Sequence, residues 1–218
     1  GIPEFNQNEI KKARIIACPG CYPTSALIPL IPFMHQGIIE SEGIIIDSKS
    51  GISGGGRTPK EHLLYSEAGE GISAYGLLTH RHTSEIEQIL SSVSGLNIQL
   101  IFTPHLIPIV RGMFTTIYGR LKDPGLTADD CKILLDNFYR NYSSVKVLPV
   151  GTYPSSKWAK NSNNIYISVN VDNRSGKVIL LSTIDNLLKG QAGQAVQNLN
   201  LISGLKFNEG LDLTTFYP

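Results

Sequence analysis

The sequence predicts an α+β fold, a mixed sheet with helices mainly on one face. Three observations carry that prediction. Segments with strand-type alternation are interspersed with helical ones, two strands bracket the hairpin turn Asp172-Asn173-Arg174-Ser175-Gly176-Lys177, and no internal repeat or low-complexity tract interrupts them.

In chain order, residues 13–17 read as a strand and residues 24–35 as a helix. Pro29 and Pro32 predict a kink or a late start in that helix, because proline lacks the N–H and crowds the preceding turn. Pro23 suits a first helical position, Thr24 can cap, and Gly37 closes the segment. Residues 43–49, with Ile44, Ile45 and Ile46, form a buried strand that runs into a glycine-rich loop at residues 50–57. Thr58-Pro59-Lys60-Glu61 spells a capping box, so a short helix follows toward Glu67. Thr83 caps a helix to about Ser92, residues 97–102 are a strand, and residues 113–121 alternate as a half-buried one. Thr127 starts a helix that carries Asp129 and Asp130 in its first turn and ends near Asn141. Residues 145–148 are a short strand, residues 165–171 and 178–184 the hairpin, and residues 187–203 the last helix.

A chain of 218 residues holds one large domain or two small ones, with ample length to bury a core. Its 19 basic and 18 acidic residues leave a formal charge of +1, and no stretch concentrates Lys or Arg, which argues against nucleic acid as a partner. No apolar run is long enough to span a bilayer and the start is no signal peptide, so neither a membrane nor secretion is expected. Three cysteines argue against a disulfide framework and fit a reducing cytoplasm. Gly1-Ile2-Pro3-Glu4-Phe5 read as the remnant of a fusion tag, outside the fold.

The chemistry centres on Cys21, in the run Cys18-Pro19-Gly20-Cys21-Tyr22-Pro23-Thr24. Backbone N–H groups at a helix start favour negative charge, so a cysteine there is expected to ionise below the free value of about 8.5 and react as thiolate. Against this stands the ordinary fate of a free cysteine, a small buried hydrophobe; Cys131, on an apolar helical face with Leu134, Leu135 and Phe138, reads that way. Cys18 and Cys21 have the spacing of a redox pair or half a zinc site, but no thioredoxin-like pattern surrounds them and no further ligand set is evident; no metal is expected. His80 and His82 flank Arg81, and an extended segment would put both imidazoles on one face with the guanidinium opposite. His105, in what reads as a rigid apolar loop, competes with them. Arg57 and Arg111 can clamp a carboxylate or phosphate, although surface solvation is the default for each. The loop at residues 50–57 offers unobstructed backbone to a phosphate or a nicotinamide carboxamide. Gly69-Glu70-Gly71-Ile72-Ser73-Ala74 spells a dinucleotide fingerprint but lacks the strand before it and the helix after it.

Residues 16–32, with the core Pro-Gly-Cys-Tyr-Pro-Thr, resemble the active-site signature of the N-acetyl-gamma-glutamyl-phosphate reductases, arginine-pathway relatives of aspartate-semialdehyde dehydrogenase. The resemblance continues through Ser50-Gly51-Ile52-Ser53-Gly54-Gly55-Gly56-Arg57, Tyr75-Gly76, His80-Arg81-His82, residues 102–108, Arg111-Gly112 and residues 189–195. Cys18 stands where the family usually has Asn, and Pro29 where a small residue is expected. The resemblance implies a largely antiparallel sheet of the glyceraldehyde-3-phosphate-dehydrogenase-like catalytic type, which forms the subunit interface of a dimer or tetramer. It also implies reductive dephosphorylation of an acyl phosphate through a cysteine thioester, with NADPH as hydride donor. Cys21 and His80 are then expected to be catalytic; Arg57, His82 and Arg111 to bind substrate; and Ser50, Gly51, Ser53, Gly54, Asn186 and Gly190 to meet the cofactor.

The same resemblance divides the chain into residues 6–186, catalytic and dimerising, and residues 187–218, a helix and tail that would pack on a dinucleotide-binding domain outside this sequence. These residues alone are therefore expected to turn over little or no substrate. Two other classes remain open at this point, a cysteine acyl-transfer enzyme without nicotinamide and a non-catalytic dimerisation module. The acyl group and the choice of NADPH over NADH are not written in these motifs.

Overall fold

The computed structural model describes residues 1–212. Seven strands form one sheet: β1 (Ile44–Gly51), β2 (Ser73–Ala74), β3 (Leu100–Ile107), β4 (Met113–Arg120), β5 (Val145–Val147), β6 (Ile165–Asp172) and β7 (Lys177–Ile184), in the order β2-β3-β1-β4-β7-β6-β5. β1 runs parallel to β3 and β5 to β6, while the other four pairings are antiparallel. The mixed, largely antiparallel sheet is thus as expected. The hairpin forms where the turn residues placed it, with Asp172 opposite Lys177.

Strand burial alternates because one face is covered. Ile44, Ile46, Met113, Ile117, Leu180 and Ile184 point into a core closed by α2 (Cys21–His35), α4 (His82–Ser94) and α5 (Ala128–Tyr139). The remaining helices are α1 (Gln7–Lys12), α3 (Tyr65–Ala68), α6 (Ser156–Ala159) and α7 (Gly193–Ile202), with a π-helical turn at Leu188–Ala192. On the uncovered face Ile101, Ile45, Tyr118 and Ile179 lie in one cross-strand row over four strands.

The helix that matters most is α2. It runs unbroken over 15 residues with Pro29 and Pro32 inside it, starting at Cys21 rather than near Thr24. Each proline leaves the carbonyl four residues back without its donor, and each orphan is met from outside: Ser182 Oγ donates to Ser25 O at 2.6 Å, and Tyr139 Oη donates to Ile28 O. Buried hydroxyls fasten the helix further, Ser25 Oγ lying 2.7 Å from Thr115 Oγ1 and Ser48 Oγ 2.9 Å from it. Thr115 is on β4 and Ser48 on β1, so the start of α2 is fixed over the middle of the sheet.

Several local expectations are corrected. Residues 13–17 form no strand: they have no strand neighbour among the described residues, and Ile15 is 90% exposed. Residues 1–5 belong to the fold, since Ile2 joins the hydrophobic core and Glu4 is buried against Lys189. Thr58 caps nothing; a 3-10 turn at Glu61–Leu63 and the short α3 replace the expected helix. Thr83 lies inside α4, whose N-cap is Arg81, so the two histidines are not on an extended segment. His105 sits in β3, not in a loop. Thr127 does form the expected capping box, with Asp130. The last helix packs on α1, with Leu199, Ile202 and Leu205 exposed beside that contact; the expectation for residues 213–218 lies outside the described residues.

Candidate active site

Cys21 is the first residue of α2, after an N-cap at Gly20 that has extended geometry and no side-chain cap. A cavity of about 710 Å³ opens there, and Cys21, His80, Arg81 and His82 all line it. Two glycines let neighbours close on the thiol. A Cβ on Gly20 would fall 2.4 Å from His82 Nε2, and one on Gly190 would fall 2.7 Å from Cys21 Cβ. Neither position tolerates a side chain without displacing a residue of the site.

The electrostatics reverse one expectation. Burial pushes the Cys21 thiol up to about 11, against the pull of its own and the Tyr22 backbone N–H groups and of the Arg81 guanidinium, while Glu85 adds to the rise. Desolvation therefore outweighs the helix terminus, and Cys21 rests as a thiol. Glu85 is held close because its carboxylate accepts from Gly20 N at 3.1 Å. A thiol in that state needs a base.

The imidazoles can serve. Burial, His80 and the Arg81 charge bring His82 down to about 4, and burial with Arg81 lowers His80 as well, so both are neutral at pH 7. His82 N donates to His80 Nδ1 at 3.2 Å, which leaves the proton of neutral His80 on Nε2. The rings lie 4.8 Å apart, and both meet the Tyr22 ring edge-on, at 5.6 Å for His80 and 5.9 Å for His82. Tyr22 is itself anchored: its hydroxyl donates to His105 O at 3.1 Å and accepts from Tyr75 Oη at 3.0 Å. His82, expected to bind substrate, is 8% exposed and packs against Gly20, on the turn that carries the nucleophile.

The other expected residues divide. Ser50 and Gly54 line the cavity. Arg57 is exposed and does not line it. Arg111 is held by the buried Asp185, Nη2 to Oδ1 at 2.9 Å, and does not line it either. The backbone donors of Gly51 and Ser53 are engaged by Gly112 O and Val110 O. Asn186 is a structural tie, accepting from Gly112 N at 2.8 Å and donating to Ser53 Oγ at 3.0 Å. The His105 imidazole faces Asp47 on the uncovered side of the sheet, at 3.2 Å, and only its carbonyl reaches the site.

Sequence reasoning missed Lys60, His62, Tyr75 and Arg81, all of which line the cavity. Arg81 had a signal in its place between two histidines, whereas Lys60 and His62 had none. Among the described residues no group of three or more His, Cys, Asp or Glu side chains is arranged to hold a metal ion, and no helix is long and apolar enough to cross a membrane.

Comparison with known proteins places the chain in a family. The chain is 69% identical over its full 218 residues to an N-acetyl-gamma-glutamyl-phosphate reductase from Prochlorococcus marinus (strain MIT 9515), and 61% identical to one from strain MIT 9211. It spans 62% of the first relative's length and 61% of the second's. Both alignments include residues 1–5. Its fold resembles the crystal structure of aspartate semialdehyde dehydrogenase II from Vibrio cholerae, with a TM-score of 0.73 at 16% identity over 94% of this chain and 68% of that one. The aspartate semialdehyde dehydrogenase from Francisella tularensis gives 0.64 at 13% identity, over 85% and 64%. Residues 21–186, beginning at the cavity cysteine, match the family described as semialdehyde dehydrogenase, dimerisation domain, and the chain belongs to that family.

Proposed function

We propose that the whole protein of which these residues form part reduces N-acetyl-glutamyl phosphate to the semialdehyde, releasing phosphate, with NADPH as hydride donor. One observation carries the reading: a cysteine opening a 15-residue helix inside a cavity lined by two neutral imidazoles and a guanidinium. The relatives named as this reductase support the substrate.

In this mechanism His82 takes the Cys21 proton as sulfur attacks the acyl carbonyl, which avoids forming a free buried thiolate beforehand. The carbon–oxygen bond to phosphate breaks and a thioester remains on Cys21. Backbone N–H groups at the start of α2 stabilise the oxyanion, and His80 Nε2–H donates to the same developing charge. Arg81, with Lys60 and His62 across the cavity, receives the anionic ends of the substrate in place of Arg57 and Arg111. Ser50, Gly54 and Gly55 line the cavity and would hold a nicotinamide there, since the two glycines, packed against Ser50 and Leu63, put backbone and no side chain on that wall. A bound nicotinamide supplies the hydride that turns a thioester into an aldehyde.

A second copy of the chain is the proposed partner, seated on the uncovered sheet face along the row of Ile101, Ile45, Tyr118 and Ile179. Free Cys18, Cys21 and Cys131 support a reducing compartment, the cytoplasm.

Intact mass after mixing with acetyl phosphate tests the nucleophile. The expected result is one acetyl adduct on the wild type, absent in Cys21→Ser. No adduct on the wild type, or an equal adduct in the variant, overturns the assignment. An adduct that turns over without any nicotinamide favours the acyl-transfer class instead.

A further inference from the structure

Lys189 and Glu4 form an ion pair with no exposure to solvent, far apart in sequence and assigned to nothing by the mechanism above. The Lys189 ammonium also donates to Gln197 Oε1 at 2.6 Å. Gln197 Nε2 donates in turn to Asn208 Oδ1 at 2.8 Å, and Asn208 Nδ2 to Ser143 Oγ at 2.8 Å. A buried lysine without such partners would be driven to the neutral form, and burial does lower it here while Glu4 opposes the fall.

The position of the pair gives it meaning. Lys189 lies in the π-helical turn Leu188–Ala192, a form that recurs at functional sites. The turn is set by i to i−5 bonds, Gly190 N to Asp185 O at 2.9 Å and Ala192 N to Leu187 O at 3.0 Å. Gly190, the next residue, is the one whose backbone lies against Cys21. Asp185 fixes the near end of the turn, accepting from Leu187 N and Leu188 N at 2.9 and 3.0 Å. Glu4, through Lys189, fixes its middle.

We propose that Glu4 and Lys189 are positioning residues for the nucleophile: the buried pair holds the π-helical turn so that Gly190 closes the wall behind Cys21. An element from the first five residues thereby sets the solvation and aim of a thiol it does not touch. The proposal rests on Cys21 being the nucleophile, and its test does not need reductase turnover.

The test compares wild type with Glu4→Leu/Lys189→Met, which removes both charges together and avoids stranding one. Two readouts are taken on folded protein: the pH profile of Cys21 alkylation by iodoacetamide, followed by peptide mapping, and the rate of acetylation by acetyl phosphate. A loosened seat admits water, so the alkylation midpoint should move down toward the ordinary thiol value, while misaimed sulfur acetylates about tenfold more slowly. A purely structural pair leaves both unchanged in the folded state, and that result overturns the proposal. If the double variant does not fold, Glu4→Gln, which keeps an acceptor and removes the charge, is read by the same criteria. Absence of wild-type acetylation sinks the reading of Cys21 as nucleophile, whereas equal alkylation profiles sink the positioning role alone.

Discussion

Ser182 Oγ donates to the Ser25 carbonyl at 2.6 Å, the acceptor that Pro29 leaves without a partner. Tyr139 does the same for the carbonyl orphaned by Pro32. A helix with two internal prolines is therefore kept whole by hydroxyls from the sheet and from a neighbouring helix. Ser182→Ala is expected to leave a buried carbonyl unmet and to lower stability by about 1–3 kcal/mol. Urea unfolding of Ser182→Ala and Tyr139→Phe checks this; values indistinguishable from wild type would show that water or another donor takes over.

Acid should weaken the fold through His82. Its folded-state value lies near 4, below the ordinary 6.5, so between those limits the unfolded chain binds a proton that the folded chain refuses. Stability is fully present above pH 6.5 and falls by about 3 kcal/mol on the way to pH 4. His80 is shifted in the same direction. His82→Gln should flatten much of that slope in denaturant unfolding measured across the window; an unchanged slope would assign it to other groups.

Cys21 alkylation should be slow at neutral pH and rise toward pH 11, because burial holds the proton on sulfur. Cys18, exposed, provides the internal standard in the same digest. A Cys21 that reacts faster than Cys18 at pH 7 would mean that the helix start outweighs desolvation after all.

Gly20→Ala places a methyl 2.4 Å from the present site of His82 Nε2, so the ring must move. Acetylation of Cys21 is expected to fall about a hundredfold, as misplacement by an ångström commonly costs that much. Single-turnover acetylation with intact-mass detection measures it, and wild-type rates would remove His82 from the role of base.

The uncovered sheet face should carry the subunit contact. Ile101→Glu places a charge at one end of the row that includes Ile45 and Tyr118, where an interface would bury it. Sedimentation should show a shift toward monomer at equal concentration, and an unchanged oligomer would move the contact elsewhere.

Much of this was legible in the sequence, and the failures have physical causes. The hairpin at Asp172–Lys177 and the Thr127 cap were readable because local chemistry determines them. Residues 13–17 have the composition of a strand, but pairing depends on a neighbour that composition does not supply. The place of Cys21 at a helix start followed from its flanking Gly and Pro, but its ionisation did not. Desolvation comes with packing from distant parts of the chain, Gly190 against Cys21 Cβ and α4 against α2. Arg57 and Arg111 carry the charge a phosphate calls for, and nothing local reveals that Asp185 already holds Arg111. Residues 1–5 read as a tag remnant, and nothing in so short a terminal stretch signals the lysine that Glu4 meets 185 residues later.

The π-helical turn also sets a rule about length. Gln191 is exposed, but adding or deleting one residue between Asp185 and Gly193 would rotate the backbone leading into α7 by about 100°. Some other residue would then face Cys21, and any side chain there collides with it. Variation in this stretch should therefore take the form of exchange and never of insertion or loss.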